Sequence, residues 1–409
     1  MPWLRALLIV LLGAGGVTAA DWPQWLGPTR DGISTEKVAP WREAPKVPWR
    51  QPVGEGHSSP IVADGKVYLH TKVNGEDAEQ VIAYDATTGK QLWRTSYPRA
   101  AFQNPFGVGP RGTPAVSGKR LYTFGVTGVL TCLNTDNGEI VWQVDTLKEF
   151  NAPNLFFGMS GSPLIEKNLV LMNIGGPEAS IVAFNKDNGK TVWKKLSDKA
   201  SYSSPIVLGD GDQRQVVFLT ASGLRSLRPR DGELFWEFPL VDKLSESSTT
   251  PVRLGELLLA SSVTYGSVAL RLETKDGRPF ASQVWKNPAL NCYFSTPVPV
   301  GDDQVYIVTG GLIPPPQVTL RCVDPRTGKE TWNRPKVGAY HASLLRTGDN
   351  KMLMLSDTGE LILFDPNAKE YQELARSKVC GKTWAHPALA NGLLYLRDDK
   401  ELICLRMGE

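Results

Sequence analysis

The stretch AYDATTGKQLW, residues 83–93, decides the fold. It reads as a strand, a tight turn and a second strand that ends in tryptophan. Asp, Asn and Gly tolerate the positive φ that hairpin turns demand, and the flanking residues alternate as strands do. The outline returns as CLNTDNGEIVW (132–142), AFNKDNGKTVW (183–193), SLRPRDGELFW (226–236) and CVDPRTGKETW (322–332). The first position is always small: Ala83, Cys132, Ala183, Ser226 and Cys322. A small residue there leaves room for a bulky neighbour, and the tryptophan is the obvious candidate.

A second motif alternates with the first. It appears as HSSPIV, RGTPAV, SGSPLI, SYSSPIV, STTPVR, FSTPVP, YHASLL and WAHPAL. Counting it gives eight units, beginning at His57, Arg111, Ser160, Tyr202, Ser248, Phe294, Tyr340 and Trp384. The period of about forty to fifty residues is that of four-stranded propeller blades. The expected fold is therefore all-β, an eight-bladed β-propeller of four-stranded antiparallel blades spanning residues 47–409. Unit five stretches its hairpin before Trp285, and unit seven, DPNAKEYQEL, lacks both glycine and tryptophan. Unit eight stops at LICLR, while VPWRQPV (47–53) carries an outer-strand pattern with Trp49. The last blade should be completed by this N-terminal strand, which removes an exposed sheet edge. Truncating either end should then destabilise the ring.

The Ala-x-Asp-x-x-x-Gly-x-x-x-Trp outline resembles the tryptophan-docking motif of quinoprotein-type eight-bladed propellers with PQQ-like repeats. The resemblance implies that Trp49, Trp93, Trp142, Trp193, Trp236, Trp285 and Trp332 dock onto neighbouring blades. The opening DWPQWLGPTRDGIS (21–34) also resembles the N-terminus of exported bacterial proteins with these repeats. The family contains dehydrogenases and non-enzymatic members, among them the propeller subunit of the outer-membrane β-barrel assembly machinery. A resemblance of this kind speaks to fold rather than to activity.

Composition narrows the function classes. A net charge of +3 over 409 residues implies no nucleic-acid partner. Arg5, the apolar run Ala6–Leu12 and the small residues Thr18, Ala19 and Ala20 read as a signal peptide over residues 1–20. Residues 21–46 form an N-terminal extension. The expected location is periplasmic or secreted, as a monomer with no membrane span. No cysteine follows the apolar run, so lipid attachment is not expected. The five cysteines are Cys132, Cys292, Cys322, Cys380 and Cys404. They read as small buried hydrophobes, with a Cys292–Cys380 bridge left open as an alternative in an oxidising compartment.

The resemblance raises quinone chemistry, which needs a cation with several oxygen ligands, a carboxylate base and flat apolar surfaces. There is no Cys-Cys pair of the kind the dehydrogenases often carry. The acids Asp85, Asp136, Asp187, Asp231, Asp324 and Asp365 fall in turns. No nucleophile elbow, HExxH, CxxC or GxGxxG on a strand-to-helix turn is present. No catalytic residue and no metal ligand is nominated, and no cofactor is expected, with PQQ plus calcium as the alternative.

The residue three before the proline varies from unit to unit. In a propeller this position opens onto the central channel. The column, with its neighbours, gathers His57, Arg111, Tyr202, Tyr293, Phe294, Tyr340, His341, Trp384 and His386 at one mouth. Flat faces with a few polar groups make a pocket, and they also fill a channel without any ligand. Arg111 would attract an anion or a carboxylate. Two long connections, 97–111 and 148–160, reach the same face and carry Phe102, Phe106, Phe156 and Phe157. An apolar patch there would suit a protein or ligand. The leading expectation is a non-catalytic exported propeller that binds a partner, protein or small ligand, at the mouth. The alternatives are a PQQ-dependent oxidoreductase acting on alcohols or sugars, and a small-molecule or glycan sensor.

Overall fold

The computed structural model describes residues 21–310 and 316–407, so the expected signal peptide lies outside the described residues. Eight four-stranded antiparallel sheets follow one another as the blades of a ring. Each of the first seven blades runs inner to outer in chain order, from Ile61–Ala63 to Gln91–Pro98 in blade one. The eighth comprises Ala388–Ala390, Leu393–Arg397 and Glu401–Arg406, and Trp49–Pro52 supplies its outer strand. Trp49 pairs with Cys404 in that strand pair, closing the ring as the motif count implied.

The docking tryptophans hold the blades together. The small first residue of each hairpin pairs directly with the tryptophan: Ala83 with Trp93, Cys132 with Trp142, Ala183 with Trp193, Ser226 with Trp236 and Cys322 with Trp332. A bulge just beyond each pair turns the tryptophan toward the next blade. Its indole N–H then donates to a turn carbonyl there. Trp49 reaches Ala86 at 3.0 Å, Trp93 reaches Thr135 at 3.0 Å and Trp142 reaches Lys186 at 2.9 Å. Trp193, Trp285 and Trp332 do the same to Pro229, Pro325 and Asn367. Trp236 departs from the expected bond: it donates to Gln215 Oε1 of its own blade at 2.8 Å. Blade five's last hairpin runs ten residues a side, and its turn meets blade four elsewhere, at Gln213, whose Nε2 donates to the Gly277 carbonyl at 2.8 Å, and at Glu233, which pairs with Arg278.

The hairpin glycine has two reasons to be glycine. Gly189 has φ +72°, and a Cβ there would meet the Trp142 ring at 2.7 Å. Blade seven, without a tryptophan, sets Ala375 opposite Leu363 at the docking position. Trp41, from the N-terminal segment, packs against the cluster that contains Ala375 and donates to Ser377 Oγ at 2.9 Å. All five cysteines are buried and unbonded, so the Cys292–Cys380 bridge is not formed. Burial pushes the Cys132, Cys380 and Cys404 thiols up to about 12, which makes them poor nucleophiles.

The N-terminal extension is more than a leader to the first strand. Trp22 exchanges both backbone hydrogen bonds with Val62 of blade one, and the Pro23 carbonyl accepts from Val116 N of blade two. Trp25 donates to Thr250 Oγ1 before blade five at 2.8 Å. The buried Arg30 guanidinium donates to the Pro163 and Ser162 carbonyls before blade three. Ser34 N donates to the Arg346 carbonyl of blade seven, and the Glu36 carboxylate accepts from Asn391 N and Gly392 N in blade eight. The turns it meets at 347–351 and 391–392 join inner to second strands, on the face opposite the variable column. Residues 22–38 thus fill the channel from that face up to Trp25.

Candidate functional site

Above Trp25 the channel widens into a cavity of about 640 Å³. All eight residues of the variable column line it: His57, Arg111, Ser160, Tyr202, Ser248, Phe294, Tyr340 and Trp384. Each precedes an inner strand, so the eight-fold repeat aims one side chain per blade at a common space. Tyr293 and His386 line it too, while His341 does not. His341 is 1 % exposed, tucked behind Tyr340 and Trp384 rather than facing the cavity. Its ring lies parallel to Trp384 at 6.1 Å, with Ser295 Oγ and Ser343 Oγ at its two nitrogens.

The walls are two aromatic piles. On one side Phe157 meets Phe106 (5.5 Å), Phe156 (4.8 Å) and Tyr202 (5.6 Å), all near edge-on. On the other, Tyr293 stacks on Phe294 at 3.7 Å, and Phe294 stands at 83° to Trp384. Tyr340 adjoins Trp384 at 5.8 Å. Of the four loop phenylalanines, Phe106 and Phe157 line the cavity. Phe156 points outward and is 65 % exposed, Phe106 is 58 % exposed, and Phe102 is half-buried against Gly158.

Arg111 is not free to seize an anion. Its Nε donates to the Phe157 carbonyl at 2.7 Å, and its Nη2 donates to the Phe106 and Gly107 carbonyls. Its Nη1 donates to His57 Nδ1. All three guanidinium nitrogens are therefore engaged in clamping the 97–111 and 148–160 connections together. Burial lowers the Arg111 pKa to about 10. Burial and the Arg111 charge hold His57 well below the ordinary histidine range, so it is neutral with its proton on Nε2. Burial also keeps His386 neutral, and lowers His341 to about 4. Tyr202 is pushed up by burial and its hydroxyl accepts from Phe157 N at 3.2 Å. It both lines the cavity and braces a loop.

Among the lining residues that escaped sequence reasoning, Trp25, Glu55, Glu246, Lys382 and Asp399 bring a large aromatic or a charge. Glu55, Glu246 and Lys382 each stand two residues before a member of the variable column. That parallel column is otherwise small or apolar, so its three charges were a readable signal. Trp25 belongs to no repeat.

Calcium takes about six to eight oxygen ligands. Among the described residues, no group of three or more His, Cys, Asp and Glu side chains is placed to hold a metal ion. Glu55 precedes blade one and Glu246 precedes blade five, across the ring from it. Glu55 Oε1 already accepts from Val108 N at 2.7 Å. This donor set does not fit the calcium of the quinone recipe.

A family model described as "Outer membrane protein assembly factor BamB" (PQQ_2) matches residues 35–103 and 77–314. The chain belongs to this family of PQQ-like repeat propellers. It is 24 % identical over 303 residues to the outer membrane protein assembly factor BamB of Burkholderia pseudomallei, covering 71 % of this chain and 69 % of that one. It is also 27 % identical over 143 residues to the quinoprotein alcohol dehydrogenase PedH of Pseudomonas putida, covering 34 % of this chain and 22 % of that one. Among solved structures, a quinohemoprotein alcohol dehydrogenase from Comamonas testosteroni superposes with a TM-score of 0.68 at 14 % identity, covering 95 % of this chain and 81 % of that one. BamB from Moraxella catarrhalis superposes with a TM-score of 0.56 at 16 % identity, covering 88 % and 98 %. These likenesses show the fold. Among the described residues no helix is long and apolar enough to cross a membrane.

Proposed function

We propose that the chain is an exported, non-catalytic propeller that binds a partner through its mouth face, holding a small ligand or a protein's side chain in the cavity. The observation that carries the reading is the convergence of the whole variable column on one cavity of about 640 Å³. That volume is typical of ligand pockets, as is an aromatic wall with a few polar groups. The exposed Phe106 and Phe156 beside it add an apolar rim. The BamB relatives, named as assembly factors, support a protein-binding role in the cell envelope. The engaged Arg111 and the scattered carboxylates support a reading without quinone turnover.

The test is a titration of the chain with PQQ, with and without calcium, followed by tryptophan quenching and by alcohol- or aldose-dependent dye reduction. Absent turnover, with a mature chain that captures an envelope protein through Phe106 and Phe156, is the expected result. Replacing both by Ser should abolish capture with only a small drop in melting temperature, since both rings are mostly exposed and each gives up one edge contact with Phe157. Calcium-dependent turnover would refute the proposal.

A further inference from the structure

We propose that the mouth cavity selects an organic cation over neutral and anionic molecules of the same shape. This rests on the reading of the mouth as a binding site and gives its ligand a chemical class.

Charge comes first. The cavity is lined by three carboxylates, Glu55, Glu246 and Asp399, against two cations, Arg111 and Lys382. His57 and His386 add no charge, being held neutral by burial. Arg111 is occupied by three carbonyls and His57, so its N–H groups are turned to the protein. The carboxylates are not equally matched. Asp399 has Arg397 and Lys382 near it, and Glu55 has Arg111 and the buried Arg397. Glu246 has no such partner: burial and the neighbouring Asp242 both raise it, as expected of a carboxylate short of a counter-ion.

The aromatic wall points the same way. Glu246 accepts from the Tyr293 hydroxyl, and the Tyr293 ring lies flat on Phe294. Phe294 and Trp384 then form a corner, with planes at 83° and centroids 5.2 Å apart. Aromatic faces are negative and attract ammonium groups, more so when water is excluded. The chain already shows the preference with its own side chain, since Lys382 Nζ sits 5.9 Å from the Trp384 ring centroid. A ligand ammonium in the corner would have Glu246 on the same wall.

A third observation is independent of both. His386 lines the cavity, is 5 % exposed, and its Nε2 has no hydrogen-bond partner. A buried polar atom left unpaired is costly. Its ring is held edge-on by Trp25 at 4.6 Å on the cavity floor. Nε2 is itself shielded from solvent, so a ligand hydroxyl would pair with it once the ring turned toward the cavity. The inferred ligand is therefore an amine or quaternary ammonium with an apolar body and a second polar group.

The test uses three probes of one shape: choline, its neutral carbon isostere neohexyl alcohol, and the anion tert-butylacetate. Binding is read by calorimetry and by tryptophan fluorescence on the full chain. Choline should bind at least about tenfold more tightly than the alcohol, in line with desolvated cation–π and ion-pair contributions, with tert-butylacetate weakest. Glu246→Gln, which keeps an acceptor for Tyr293, should cut the cation preference to threefold or less by removing one charge. Phe294→Leu, which keeps bulk, should reduce the same ratio while the melting temperature holds. Equal binding of cation and alcohol, or preference for the anion, overturns the cation assignment and leaves a mouth that binds small molecules. No binding of any probe, with partner capture through Phe106 and Phe156 intact, overturns it while the binding reading survives. If capture fails as well, both fall.

Discussion

Replacing Gly189 by Ala should cost far more than the same change at Gly65, and the difference measures blade docking. Both glycines have φ near +70°. Alanine in that region costs about 1–2 kcal/mol. At Gly65 a Cβ meets nothing within 4 Å, so the conformational cost stands alone. At Gly189 it meets Cε3 and Cδ2 of the buried Trp142 at 2.7 and 2.8 Å. The indole must lift, and its bond to the Lys186 carbonyl is strained or lost, costing about 1 kcal/mol. Partial re-exposure of the ring adds about 1–2 kcal/mol. The expected loss is about 3–5 kcal/mol at Gly189 against about 1–2 at Gly65. Urea unfolding followed by fluorescence, fitted with a common slope, gives both values. If the two variants agree within about 0.5 kcal/mol, the tryptophan does not require the glycine and the docking argument is wrong.

Acid should destabilise the ring earlier than its carboxylates alone would. His341 is held at about 4 in the fold against 6.5 as its ordinary value, so between these pH values the unfolded chain takes a proton that the fold refuses. Stability then falls as pH drops from 6.5 towards 4, by about 3 kcal/mol for this residue, and His57 and His386 act with the same sign; His341→Asn should flatten the slope of unfolding free energy against pH. Arg111→Lys should free the loops it clamps, because a lysine cannot engage the Phe157, Phe106 and Gly107 carbonyls together with His57; chymotryptic cleavage near Phe106 and Phe157 should accelerate while global stability changes by about 1 kcal/mol or less. Trp25→Ala should open the cavity floor, lower stability by about 2 kcal/mol and let the imidazole of His386 titrate closer to 6.5, which proton NMR can follow.

Legibility followed range. A hairpin is local, so a turn glycine followed four residues later by a tryptophan disclosed the seams made by Trp93, Trp142, Trp193 and Trp332, and the outer-strand pattern around Trp49 and the stretched hairpin before Trp285 disclosed two more. The mouth column was legible because the ring turns a one-dimensional repeat into a circle, and all eight members arrive. His341 is turned into the ring by Ser295 and Ser343 at its two nitrogens, the first a pairing with a residue 46 positions away that the repeat does not encode. Arg111 was credited with an open charge because its acceptors are carbonyls, which carry no side-chain signature. Trp25 and Arg30 were invisible for a different reason: their partners lie up to 225 residues away, and no period predicts them.

Closing the ring with Trp49 against Cys404 has a consequence for the order of folding. Trp49 waits for its partner until Cys404 has emerged, so seven blades can form before the eighth has its outer strand. Non-local pairing of this kind slows folding. The residues just upstream face a stricter schedule. A peptide whose contacts touch six blades, from Val62 to Gly392, is more easily wrapped by a closing ring than threaded into a finished one. The N-terminal segment is thus expected to act as a mandrel, the blades assembling around it and the pairing of Trp49 with Cys404 locking it in.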